Sequence, residues 1–206
     1  MSVQRTEEWF AARLGRATAS RFADVLAKTK SGPSASRKNY LAQLVAERLT
    51  GRREQGYTSA EMQFGTDTEP LARAAYQERT GLEVQECGFL THHELMAGAS
   101  PDGLVDEYGL LEIKCPNTAT HIEYLLSTKY PSKYQAQIQG QLWIADREWC
   151  DFVSFDPRMP IDLQLKVFRV ERDDAFIHEL FDEVLGFLND VDEVLSKIKT
   201  ISSRSA

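Results

Sequence analysis

Between Asp102 and Lys114 the sequence spells one short β-hairpin, either a surface hairpin whose charges happen to alternate or one that gathers those charges at a site. Pro101 and Gly103 bracket Asp102 at the start of a short strand, Asp106-Glu107-Tyr108-Gly109 has turn chemistry, and Leu110-Leu111-Glu112-Ile113-Lys114-Cys115 is an apolar-rich return strand ended by Pro116. Side chains alternate along a strand, so Glu112 and Lys114 share one face and Ile113 points to the other. If the turn carries Asp102 across, two carboxylates and an ammonium meet at one spot. Crowded carboxylates repel unless a divalent cation neutralises them, and Mg²⁺ favours such hard oxygen donors. A lysine beside that ion is suited to position or deprotonate a bound water.

At 206 residues with 42% hydrophobic content, the chain suits one folded domain over residues 1–206 and excludes a disordered one. Its apolar runs are too short to span a membrane, and Met1 to Glu8 lacks an apolar signal core. Cys87, Cys115 and Cys150 are odd in number with no CxxC pair, which suits a reducing cytoplasm and disfavours a zinc or iron–sulfur centre. The net charge of −7 does not exclude nucleic acid, because affinity follows local Lys and Arg density. Basic residues gather in the first third (Arg13, Arg16, Arg21, Lys28, Arg37, Arg53) and acidic ones in the last (Asp174, Glu183, Asp190, Asp192), which predicts one basic and one acidic face.

No internal repeat or interdomain linker is evident. Thr6 caps a predicted first helix that ends at Gly15, and Ser20 caps a second beginning at Arg21. Residues 28–36 read as a basic loop, Tyr40 to Leu49 as a helix, and Thr68 to Arg79 as another with Pro70 in its first turn. Strands are predicted within Leu82 to Leu90, through the hairpin, and over Trp149 to Phe155 and Leu163 to Val170. Tyr134 to Trp143 reads as a helix, and a long terminal helix runs over about 173–199. Helices flanking a central mixed β-sheet define an α/β (α+β) fold.

Three further clusters accompany the hairpin. Glu69 falls in the predicted first turn of its helix, where the macrodipole favours a carboxylate, and is either a helix-start charge or a third acid for the hairpin's cluster. Tyr134, Gln137 and Gln141 share one helical face, either as a polar rim or as groups that orient water, phosphate or the lysine. Arg13 and Ser20 join a guanidinium and a hydroxyl before a helix, a natural phosphate pocket.

The hairpin resembles the PD-(D/E)xK nucleases, whose restriction-endonuclease-like core it implies. The wider set closely resembles the lambda exonuclease (YqaJ-type viral recombinase) family. That resemblance rests on Arg13-Leu14-Gly15 with Thr18-Ala19-Ser20, Gly65 with Glu69, Ser100-Pro101-Asp102-Gly103, Leu111 to Pro116, Ala136-Gln137-Ile138-Gln139 and Asp156-Pro157-Arg158-Met159. It implies a Mg²⁺-dependent (or Mn²⁺-supported) 5′→3′ exonuclease that degrades one strand of linear duplex DNA. Asp102, Glu112 and the Ile113 carbonyl would bind metal and Glu69 would complete the site. Lys114 would activate water with Gln137 and Tyr134 supporting, and Arg13, Ser20 and Ser100 would hold the 5′-phosphate. The resemblance also implies a homotrimeric ring acting on double-stranded DNA ends with a single-strand annealing protein, in the cytoplasm of a bacterial host, as a phage or prophage protein. Met62 falls near the family's apolar wedge, though a methionine equally suits a core position. One departure stands out: where the family carries an arginine on the terminal phosphate, the residue by count is Thr120, with His121 beside it as a weaker substitute.

His93-Glu94 opens like a zinc-protease motif, but Ala97 stands where the second histidine belongs, so His92 and His93 read as loop residues. No Walker-type loop is present, so no ATP requirement is expected. Ile177, Leu180, Val184, Leu188, Val191, Leu195 and Ile198 form a stripe, read as core in preference to a subunit seam. Two other readings remain open: a noncatalytic DNA-binding recombination module, and an endonuclease on the same fold.

Overall fold

The computed structural model describes residues 4–30, 32–53 and 59–204. Met1 to Val3, with the expected absence of a signal core there, and Ser31 of the expected 28–36 loop lie outside the described residues. In chain order the elements are α1 (Glu7–Arg13), β1 (Ala17–Thr18), α2 (Phe22–Leu26), β2 (Lys28–Thr29), β3 (Gly32–Pro33), α3 (Ala35–Thr50), α4 (Ala60–Thr80), β4 (Val84–Gln85), β5 (Leu90–Thr91) and β6 (Ala97–Ala99). They continue with β7 (Gly103–Val105), β8 (Gly109–Lys114), α5 (Thr118–Leu126), α6 (Gln135–Ala145), β9 (Trp149–Phe155), β10 (Leu165–Glu171) and α7 (Asp174–Arg204).

The central sheet runs β10-β9-β8-β7-β4 and is mixed: β8 and β9 are parallel, and the other neighbours are antiparallel. The predicted hairpin is β7 with β8, Gly103 facing Leu111 and Val105 facing Gly109. Asp106 makes the turn in the left-handed region (φ 46°), its Oδ1 accepting from the backbone N–H of Tyr108 and Gly109. Alternation on β8 divides the core. Leu111 and Ile113 pack with Ala72 and Tyr76 of α4, whereas Leu110 packs with Ile138 and Leu142 of α6. Glu112 therefore faces α6. A smaller sheet, β1-β6-β5, pairs Ala17 with Ala97 in parallel and delivers the chain from β6 directly to Asp102.

α7 packs its stripe inward. Leu180, Val184, Phe187, Leu188, Val191 and Leu195 join Phe22, Tyr40 and Leu44 in one core, while Ile198 is exposed. The core reading thus holds for the stripe up to Leu195. Where α6 crosses α2, Gly140 is needed: a Cβ there would stand 2.4 Å from the Phe22 ring. Among the described residues no helix is long and apolar enough to cross a membrane.

Several local expectations are corrected. α4 begins at Ala60, capped by the Ser59 hydroxyl on the Met62 N–H, so Glu69 and Pro70 are mid-helix and the macrodipole argument for Glu69 fails. Pro70 looked like a helix start because its ring suits a first turn; the tertiary packing of α4 carries the helix through it despite the lost hydrogen bond. Ser20 does not cap α2, which follows a 3-10 turn over Ala19–Arg21. The expected loop contains the β2–β3 pair, and α3 starts at Ala35 with Ser34 as its cap. Tyr134 precedes α6 as its N-cap residue, and α5, capped by Asn117, was not anticipated.

Candidate active site

The hairpin brings its charges together as the alternation predicts. Asp102 Oδ2 accepts from the Ile113 N–H at 2.7 Å across the β7–β8 ladder. The Lys114 ammonium pairs with Glu112 Oε1, which also accepts from Gln137 Nε2 at 2.6 Å. Glu112 Oε2 accepts from Gln141 Nε2 at 2.7 Å. Gln137 thus holds the glutamate and not the lysine. The ring of Tyr134, tilted against Phe152, lies 5.3 Å from the ammonium, so its π-face meets Lys114.

The electrostatics follow from burial. Loss of water and the nearby Glu112, with Glu69 adding less, push Asp102 well above the ordinary carboxylate value, against the pull of Lys114 and the Ile113 N–H. Burial opposes the ammonium of Lys114, but Glu112 and Asp102 together outweigh it and raise its pKa.

Glu69 stands close enough to act on Asp102, yet it is gripped by Arg5 at 2.8 Å and Arg73 at 2.9 Å. Among the described residues no three His, Cys, Asp or Glu side chains converge as a ready cation cage. The donor set that fits a divalent ion is instead two carboxylates, Asp102 and Glu112, beside the Ile113 main chain. Their mutual repulsion is relieved by Lys114 and, at Asp102, by the Ile113 N–H.

A cleft of about 820 Å³ opens over this centre. Asp102, Ile113, Lys114, Cys115 and Glu69 line one part, Arg13, Arg16, Ser20, Arg21 and Arg53 another, and Met62 a third. Met62 is 59% exposed, which rules out the core alternative. α3 grips the backbone that carries Arg13 and Ser20: Glu47 accepts from the Gly15 N–H, Arg48 donates to the Gly15 carbonyl, and the Tyr40 hydroxyl accepts from the Thr18 N–H. The β1–β6 ladder then sets that segment beside Ser100. The Ser100 hydroxyl accepts from Trp9 Nε1 at 2.9 Å and Arg13 Nη1 at 3.3 Å, and the Arg13 guanidinium lies over the Trp9 ring. Ser100 therefore stands as a brace for Arg13, behind the cleft wall.

His121 does not replace the missing arginine. It is fully buried, with Nδ1 on the Ser154 hydroxyl at 2.7 Å and Nε2 on the Leu163 carbonyl at 2.9 Å. Asp156-Pro157-Arg158-Met159 forms a clamp beyond β9: Asp156 takes Arg158 and the Thr118 hydroxyl, and Arg158 reaches the Pro116 carbonyl and the Phe64 ring. The clamp ties α4, α5 and the end of β8 together below the cleft. His92 and His93 are loop residues, His92 Nδ1 accepting from the Glu94 and Leu95 N–H groups.

Gln141, on the face predicted with Gln137, holds the second oxygen of Glu112, and Arg73, which the sequence did not single out, holds Glu69 from i+4. Arg5 carries no such local signal.

Residues 8–148 match the YqaJ-like viral recombinase domain. The chain is 50% identical to the alkaline exonuclease LHK-Exo from Laribacter hongkongensis, over 98% of this chain and 100% of that one, with a TM-score of 0.91. The structure of LHK-Exo in complex with dAMP matches equally. A phage-related exonuclease from Haemophilus somnus 129PT, 15% identical over 89% of this chain and 96% of its own with a TM-score of 0.70, shares the fold. No curated protein matches.

Proposed function

Since the chain belongs to the family of YqaJ-like viral recombinase domains, we propose for it a specific reaction at the cleft. It is a DNA exonuclease of recombination; the proposal is that it degrades one strand of linear duplex DNA from the 5′ end, releases mononucleotides and leaves a 3′ single strand. The observation that carries this reading is the union, in one cleft, of Asp102 and Lys114, with Glu112 paired to that lysine from behind, and the wall of arginines around Arg13 and Ser20. The full 1–206 chain would act as a single domain. A homotrimeric ring, an annealing-protein partner and a cytoplasmic setting in a bacterial host, as a phage or prophage protein, belong to the same proposal.

Asp102, Glu112 and the Ile113 carbonyl would hold Mg²⁺, or Mn²⁺ in its place, with Glu69 completing the set after exchanging its arginines. When bound, the ion supplies Lewis-acid stabilisation of the attacking and leaving oxygens. Lys114 holds its proton because Glu112 and Asp102 face it. With a divalent ion held by these carboxylates, Lys114 Nζ would stand beside the attacking water and would take its proton. Gln137 keeps Glu112 oriented, and Tyr134 offers its π-face to the lysine. Arg13 and Ser20 would receive the 5′-phosphate, with Ser100 bracing Arg13. Met62 would part the terminal base pair.

The test is linear duplex labelled separately at its 5′ and 3′ ends, beside a covalently closed circle, with Mg²⁺ or EDTA. Expected is Mg²⁺-dependent release of the 5′ label as mononucleotide, with the complementary strand and the circle intact. Release of the 3′ label first would overturn the polarity, and cutting of the circle would make the chain an endonuclease.

A further inference from the structure

Behind the candidate centre lies a polar group that stability alone does not explain. Gln141 is 1% exposed on α6, between the apolar Ile138 and Leu142, and its Oε1 has no hydrogen-bond partner among the described residues. A buried amide oxygen without a donor costs about 1–3 kcal/mol, a cost set here against the donor that Nε2 supplies to the buried Glu112 carboxylate. Violations of this kind concentrate where function requires them.

What the amide does is visible in the division of the Glu112 oxygens. Oε1 takes the Lys114 ammonium and Gln137, and Lys114 lines the cleft. Oε2 takes Gln141. A carboxylate that is to exchange an ammonium for a divalent ion at one oxygen must be held through the other, or its plane is free to turn. An amide N–H suits this task, since it carries no charge to compete with the cation and has no proton to lose near neutral pH.

We propose that Gln141 is a positioning residue for the divalent cation, holding Glu112 through Oε2 so that Oε1 keeps the place where it now meets the Lys114 ammonium once that ammonium leaves it. The inference rests on the metal-dependent reading above and adds a residue to it.

The experiment compares wild type with Gln141→Leu and Gln141→Met, two variants that differ in how they refill the core. Mn²⁺ is titrated calorimetrically into the DNA-free protein, thermal unfolding is followed in EDTA, and exonuclease rate is measured against Mg²⁺ concentration. The expected result is a Kd for Mn²⁺ raised about tenfold or more in both variants. The Mg²⁺ concentration for half-maximal rate should rise in parallel, and both variants should keep a cooperative unfolding transition in EDTA, with Tm lowered only by the loss of the donor to Glu112 Oε2. An unchanged Kd in the folded variants overturns the proposal. So does affinity lost only in a variant without a cooperative unfolding transition, which would make Gln141 a structural residue. If wild type itself binds no Mn²⁺ and releases no nucleotide, the underlying metal-dependent reading has failed instead.

Discussion

At Asp102 the folded chain works against itself, because burial and Glu112 raise the carboxyl's pKa above its unfolded value. A raised acid pKa means that ionising Asp102 costs stability, so in EDTA the chain loses stability as pH climbs through that raised value. Asp102→Asn should flatten this part of the pH–stability curve while reducing cleavage by at least the ~100-fold reached when a mere supporting residue is lost from a metal site. Denaturation curves at several pH values, with a nuclease assay, check both halves. Arg13→Ala should lower the preference for 5′-phosphate over 5′-hydroxyl ends by about tenfold or more, the worth of a charge-assisted hydrogen bond; an unaltered ratio would remove Arg13 from the pocket. The Cys115 thiol, on the cleft wall, is pushed up to about 12 by burial and then by Glu69 and Asp102. At pH 8 its alkylation should run at least about tenfold slower than in the unfolded chain, read by mass spectrometry. At this scale the hairpin was legible because its partners are near in sequence and bound to strand alternation. The grip of Arg5 on Glu69 and the burial of His121 were not, since each depends on a contact made by distant segments.

Among the elements, helix starts were the least legible part. Pro70 imitated a first turn, while the true start lay with the Ser59 hydroxyl one Met62 N–H away. α5 escaped notice because Asn117 is a cap like many loop asparagines, and the helix is recognised only once Tyr124 and His121 are seen against β9 and the Leu163 turn. The α6–α2 crossing depends on Gly140, and Gly140→Ala should cost about 1–3 kcal/mol by overpacking against Phe22, measurable by urea denaturation. The clamp beyond β9 offers a test by acid. Burial would raise Asp156, but Arg158 and Thr118 overcome it and hold its pKa below the ordinary value. That stabilisation is present above the unfolded carboxylate pKa and is lost as pH falls through the lower folded value. Asp156→Asn should therefore narrow its stability gap to wild type in strongly acidic buffer.

Across the whole molecule, the acidic C-terminal third pairs several of its charges with cations of the first third. Glu183 pairs with Lys28, Asp190 with Arg37 and Asp192 with Arg48, so α7 neutralises the cations of α3 and its approach. Arg13, Arg16 and Arg53 line the cleft, so a chain of −7 net charge still sets cations along that wall. The basic first third and the acidic last third are thus partly paired with each other, and composition has no means of expressing pairing. Removing Arg16 or Arg53 should lower the salt slope of DNA binding by ~0.9 each, whereas Lys28→Ala should leave it unchanged; fluorescence anisotropy over a range of salt decides.

The parallel pairing of β8 with β9 also orders events during synthesis. Both carboxylates have been translated by residue 112, but the amides that hold Glu112 arrive only with α6, and the strand that closes its far edge only with β9. A parallel neighbour requires a crossover, and α5 with α6 is that crossover. A nascent chain paused on the ribosome before Trp149 therefore carries every acid of the centre with β8 still unpaired on one side, so nuclease competence should be acquired only after β9 has been made.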